Sequence, residues 1–279
     1  MLEGRYLLGV EPIDRTVSFL ERSAKISVEP QSLRARCEAA IRVRSSREPL
    51  SQTWEPCPDD LAAHLSLVRA RPVFQSLFQN YEAEFALVDL ASLVPVQPHV
   101  DFSFALEATA DLSGQHALAD LCLPTAPQAL DVWGGVTDAN GSGAFTVCSY
   151  DLNLIVSEVH MDTTPSLKVS FTLSKTAVFL IVVETQGRLF LKDGTHRAVG
   201  LLARGFAKAP CVLLRGAPPR SIPDYLPAET QFGPSPPLLS DFLDGQLYLS
   251  HPWIRGLKTI RIRADEFVMP RDPADLGGP

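Results

Sequence analysis

No apolar run in this 279-residue chain approaches the length needed to cross a bilayer, about 20 residues. The clearest one, Ala177 to Val183, is the size of a buried strand. Basic residues are not in excess either. Lys and Arg total 25 against 32 Asp and Glu, giving a net charge of −7 and a pI near 5.4. That balance argues against a broad nonspecific nucleic-acid surface and leaves room for a local basic groove. There is no C-x-x-C pair: the five cysteines, Cys37, Cys57, Cys122, Cys148 and Cys211, are scattered and odd in number. Reduced thiols are expected rather than disulfides. The opening residues Met1 to Leu8 lack the basic, apolar, small-residue order of a signal peptide, so a soluble cytoplasmic protein is expected. The glycine-rich stretch from Gly134 to Gly143 lacks the Gly-Lys-Ser/Thr ending of a phosphate loop; with Asn140-Gly141 it reads as a hairpin. His160 and Asp162 have no third ligand in sight, so a β-turn is expected there and no dedicated metal site.

What is present describes a folded protein. Hydrophobic residues make up 46% and charged residues 20%, enough for a substantial core. Twenty-three prolines point to long extended connections. Gln31 to Val43 has helical spacing, and its neighbourhood carries Arg34, Arg36, Arg42, Arg44 and Arg47, read as a solvated face in preference to a nucleic-acid face. Asp59-Asp60 opens a helix, and Phe74, Phe78 and Tyr81 mark a second, core-packed one. Val100 to Ala108 alternates weakly as a strand, and Leu112 to Leu130 has helical content. Leu167 to Leu173 alternates strictly, which buries one face of a strand. Leu238 to Leu249 reads as a short helix, Lys258 to Arg263 as an edge strand, and Pro270 to Pro279 as a disordered tail.

The most informative stretch is Leu191-Lys192-Asp193-Gly194-Thr195-His196-Arg197. A strand precedes it, and Val199, Leu202 and Phe206 set a helix after it that Gly205 ends. A helix start offers unpaired N–H groups and partial positive charge. Gly194 permits a sharp turn, Thr195 caps the helix or donates to an oxygen, and Lys192 and Arg197 add charge. The pattern fits a small anion cradle. It fits equally a tight turn with Arg197 paired inside the core.

Phe179 to Leu214 resembles the core of the ParB/sulfiredoxin superfamily, where a strand ends in Asp-Gly-x-His-Arg or Gly-Cys-His-Arg and a helix and a further strand follow, here Ala209-Pro210-Cys211-Val212. Val88 to Pro98, with Leu93-Val94-Pro95-Val96-Gln97-Pro98, is similar to the family's opening strand and turn. The resemblance spans Phe85 to Arg215, with an unmatched middle. It implies an α+β fold, a mixed sheet with flanking helices, for the core with its strand-rich insertion (85–216); the residues on either side read as an N-terminal mainly helical segment (1–84) and a proline-rich C-terminal arm with a terminal edge strand (217–279). Sulfiredoxins carry cysteine where this chain has Thr195, which speaks against sulfinic acid reduction by that mechanism. The second arginine-rich motif and helix-turn-helix of segregation ParB proteins are missing. DndB-like regulators of DNA modification are nearer in motif, with glutamine in place of Thr195.

The leading expectation is therefore a bacterial-type, DNA-associated protein that binds a nucleotide or other phosphate ligand, in DNA metabolism, genome defence or regulation. Lys192, Gly194, Thr195, His196 and Arg197 would hold a nucleoside triphosphate, with His196 as acid or base and Asp193 on Mg²⁺. One alternative is a phosphotransfer, nucleotide-hydrolysing or nuclease enzyme, which needs a further carboxylate such as Asp89 or Asp101. The other is a protein-interaction scaffold in which the motif is structural and the proline-rich arm binds a partner. Whether chemistry occurs is open, and self-association through the arm and edge strand is an expectation.

Overall fold

The computed structural model describes residues 2–48, 52–113, 116–126, 130–138, 143–150, 154–162, 168–175 and 179–263. Along the chain these form β1 (Leu2–Leu7), α1 (Ile13–Arg22), α2 (Pro30–Ser45), β2 (Trp54–Pro56), α3 (Ala62–Ala70), α4 (Pro72–Phe78), β3 (Glu82–Asp89), β4 (Val94–Pro95), β5 (His99–Asp101), α5 (Phe102–Ala108) and α6 (Ala117–Cys122). There follow β6 (Trp133–Asp138), β7 (Gly143–Ser149), β8 (Leu154–Asp162), β9 (Lys168–Lys175), β10 (Ile181–Thr185), β11 (Arg188–Asp193), α7 (Thr195–Ala203), β12 (Lys208–Arg215), α8 (Ala228–Phe232), β13 (Tyr248–Trp253) and β14 (Lys258–Arg263). The protein is mixed α+β. No helix among the described residues is long and apolar enough to cross a membrane.

The chain groups into two compact units, Met1–Gln128 with Ala177–Arg255, and Ala129–Thr176 with Gly256–Pro279. The first holds a six-stranded sheet in the order β2-β3-β12-β10-β11-β4. β12 runs antiparallel to β3 and parallel to β10, and β11 runs antiparallel to β10 and parallel to β4. Ala209 to Leu214 of β12 are all buried, as a strand covered on both faces must be. The β10–β11 hairpin turns through Gln186 and Gly187, both at positive φ (52° and 72°), the twist that suits a two-residue connection. A second sheet, β13-β1-β5, joins the two ends of this unit. Residues 1–84 and 217–255 therefore share a unit with the core, because β1 pairs with β13 over Leu2↔Trp253 to Leu7↔Tyr248, while the end of the expected arm groups with the strand-rich insertion through the β14–β7 pairing. The other unit contains β14-β7-β6 and the two-stranded β8-β9.

Several local expectations are corrected by side-chain chemistry. Val100 to Ala108 is a strand only to Asp101. There the Asp101 carboxylate accepts from Phe104 N–H (2.8 Å), which caps α5, with Phe102 and Ala105 buried one turn apart. Among the described residues the helical content after Leu112 is α6 alone, and Leu239–Leu243 forms a single 3₁₀ segment before β13. His160 to Asp162 lie within β8 instead of a turn, whereas Trp133–Asp138 pairs antiparallel with β7, as the hairpin reading of that stretch expects. Arg44 is not on a solvated face: α2 buries Leu33, Cys37, Ala40 and Arg44 along one line. The Asn140-Gly141 turn and the tail from Pro270 lie outside the described residues.

Candidate functional site

The Asp-Gly-Thr-His-Arg junction forms as the sequence suggests, between β11 and α7, with Asp193 exposed and Thr195 and Arg197 buried. Gly194 has φ 92° and ψ 21°, a left-handed conformation that glycine alone adopts freely. A Cβ there would also lie 2.6 Å from Leu180 Cδ1 and 3.0 Å from Arg197 Nη2, so the site has no room for a side chain. Asp193 Oδ1 accepts from Gly194 N–H at 2.6 Å. Thr195, Arg197 and every residue from Ala198 to Leu201 are buried. Gly200 lets α7 lie against α5, since a Cβ there would strike Ala105 O.

Arg197 is only 8% exposed. Its Nη1 donates to Leu121 O at 2.9 Å and its Nη2 to Phe179 O at 2.9 Å. The guanidinium thus ties α7 to the end of α6 and to the residue leading into β10. Burial lowers its pKa, and the Cys122 thiol and Asp193 carboxylate act in the opposite sense. His196 Nε2 accepts from Asp101 N–H at 3.1 Å. Burial also lowers the His196 pKa, so the neutral ring keeps its proton on Nδ1. A ring in that state has no free lone pair to serve as a base, and its remaining function is donation from Nδ1. Phe104 packs edge-on against it, ring centroids 5.4 Å apart.

Lys192 and Asp193 lie outermost. The Lys192 ammonium sits 5.7 Å from the Tyr81 ring centroid, within cation–π range. Asp193 is exposed as a residue, yet its carboxyl is enclosed enough for desolvation to raise its pKa against the pull of Arg197, the Gly194 N–H and Lys192. Of the two further carboxylates, the fold brings Asp101 to His196 and leaves Asp89 elsewhere, capping the 3₁₀ turn at Leu90–Ser92 through Ala91 N–H (2.9 Å). Asp101 Oδ2 lies 3.8 Å from Arg255 Nε, while Arg255 Nη2 pairs with Glu107 Oε2 at 2.6 Å. Among the described residues no group of three or more His, Cys, Asp or Glu is arranged to hold a metal ion.

Two polar clusters lie beyond the motif. Buried Asp241 accepts from Arg44 Nε at 3.1 Å and forms an ion pair with Arg47 Nη1 at 2.5 Å. The helical line Leu33, Cys37, Ala40, Arg44 was the signal that one arginine points inward. The other cluster is aromatic. His99 on β5 and His251 on β13 stack with centroids 5.4 Å apart, and His99 lies 4.2 Å from the Trp253 ring and 4.9 Å from the Phe19 ring. Both Nε2 atoms are buried and lack a hydrogen-bond partner among the described residues, while His251 Nδ1 donates to Pro252 O at 2.9 Å. Gly4 makes the space, because a Cβ there would strike the His251 ring.

That cluster sets a pH dependence. Burial, with His251 and His196 nearby, pushes the His99 pKa down to about 3, and burial lowers His251 as well. Glu3 on β1 acts on His251 in the opposite sense, and Arg5 and Tyr6 complete the titratable groups of that strand. The unfolded chain takes up protons near pH 6.5, where the folded rings do not, so stability is full above that pH and falls as pH drops from about 6.5 towards 3. Each such histidine contributes a limiting slope of about 1.4 kcal/mol per pH unit. Urea midpoints between pH 7.5 and 4.5 are expected to fall more steeply in the wild type than in His99→Phe, which keeps a ring and removes the titration. Parallel curves would contradict this.

Comparison with protein-family models, with curated proteins and with solved structures finds no match to this chain.

Proposed function

We propose that this chain is a binding module in which a ParB/sulfiredoxin-like core serves as scaffold and the Asp-Gly-Thr-His-Arg loop is an internal brace. The observation that carries the reading is the Arg197 guanidinium, held by the carbonyl oxygens of Leu121 and Phe179. An arginine that binds phosphate must present its N–H fork outward; here two of its donors satisfy buried backbone acceptors. The mixed strand order around β10, β11 and β12, with α7 following the Asp-Gly turn, supports the superfamily core.

The surface for a partner is the β8–β9 pair. Val159 faces Phe171 and Met161 faces Val169 across the ladder, and they are 59%, 41%, 66% and 42% exposed. Four large apolar side chains on one face of a two-stranded ribbon are characteristic of an interaction site. A photo-crosslinking amino acid placed at Phe171 is expected to give a macromolecular adduct in cells, and the same amino acid at Lys192 none. Adducts at Lys192 alone would overturn the scaffold reading.

A second reading, nucleotide or phosphate binding in DNA metabolism, draws on the outward position of Lys192 beside the start of α7. A nucleoside triphosphate would then rest on Lys192, the Nδ1 donor of His196 and the first-turn amides, without the Arg197 side chain. The catalytic alternative requires a carboxylate free to converge on that point, and Asp89 and Asp101 are both engaged in caps.

A further inference from the structure

We infer a small-oxyanion site, separate from the motif loop, in the cavity where the end of α2, the β10–β11 turn and the proline-rich segment at Pro234–Leu238 meet. The cavity has a volume of about 200 Å³ and is lined by Arg44, Arg47, Arg188, Glu48 and Ser235 among others. Its charges do not balance. Asp241 is buried and shared between Arg44 and Arg47, which leaves one guanidinium charge over. Arg188 donates Nη1 to Gln231 O at 2.8 Å and Nη2 to Gly233 O at 2.6 Å, so its charge is fixed in place by neutral acceptors. Against these stands the exposed Glu48.

The arginines are also immobilised. Arg44 donates to Leu8 O and Gly9 O as well as to Asp241, so its charge is in place before an anion arrives. Arg47 is 27% exposed at its side chain and is the one of the Asp241 pair that reaches solvent. Ser235 adds a hydroxyl to the wall. The volume is below that of sites for drug-sized molecules, about 300–1,000 Å³, so the fitting ligand is a small phosphate or carboxylate group. Arg44 and Arg188 spend their donors on the protein and contribute fixed charge, so Arg47 is the arginine that would meet the oxyanion, and guanidinium geometry matches phosphate and carboxylate alike.

The test is titration calorimetry of the full chain with pyrophosphate and, in parallel, with citrate, at fixed ionic strength set by chloride. The wild type is expected to bind at least one of the two, which identifies the oxyanion. Arg47→Gln is expected to weaken that binding at least tenfold, and Glu48→Gln, on an exposed residue, to tighten it about threefold. Lys192→Ala is expected to change nothing, which separates this site from the α7 start. No binding of either anion by the wild type, or equal binding by the wild type and Glu48→Gln, would overturn the inference.

Discussion

Arg197→Ala is expected to cost about 4 kcal/mol of folding stability, read as a lowered urea midpoint with little change in slope. The loss has two sources. The carbonyls of Leu121 and Phe179 lose their donors inside the protein, each at about 1–3 kcal/mol. The vacated volume beneath buried Gly194 and Leu180 adds a packing loss. Against a total stability of about 5–15 kcal/mol, this removes a large fraction. Arg197→Lys retains the charge and reaches one carbonyl, so it is expected to recover part of the loss. A surface arginine would behave differently: its removal changes stability by less than about 0.5 kcal/mol.

Asp241→Asn is expected to destabilise by about 3–5 kcal/mol, because it preserves shape and leaves Arg44 and Arg47 facing each other without their counter-charge. Burial already raises the Asp241 pKa, and the two arginines only partly offset that, so the cluster is costly to assemble and costlier to break. The double change Asp241→Leu with Arg44→Met is therefore expected to be less damaging than Asp241→Leu alone, the coupling being read from a double-mutant cycle. Additive losses would show that the buried pair is not an energetic unit.

Much of the local structure was legible in the residues. The helix over Gln31 to Val43, the helix between Gly194 and Gly205 and the buried strands either side of it follow from apolar spacing and glycine placement, and they occur as read. The orientation of polar side chains was not legible. Nothing in Asp-Gly-Thr-His-Arg distinguishes an arginine aimed at a ligand from one aimed at two carbonyls. That choice depends on Leu121 and Phe179, which lie 76 and 18 residues away. The joining of β1 to β13 was hidden for the same reason: both strands are short, and their partners are separated by nearly the whole chain. Asp101, a candidate for the further carboxylate that an enzyme would need, has a local role, capping α5 and offering its backbone N–H to His196.

The most direct test of the central claim is thermal melting of the wild type, Arg197→Lys and Arg197→Ala, each with and without ATP, CTP, GTP and Mg²⁺. A ligand that binds only the folded state adds about 2.7 kcal/mol at a hundredfold excess over Kd, which melting readily detects. An internal brace predicts that both variants melt below the wild type without any ligand, alanine lowest, and that any nucleotide-induced shift is as large in Arg197→Lys as in the wild type. An Arg197→Ala protein that melts with the wild type, yet loses a nucleotide-induced shift the wild type shows, would contradict the account and return Arg197 to a phosphate site.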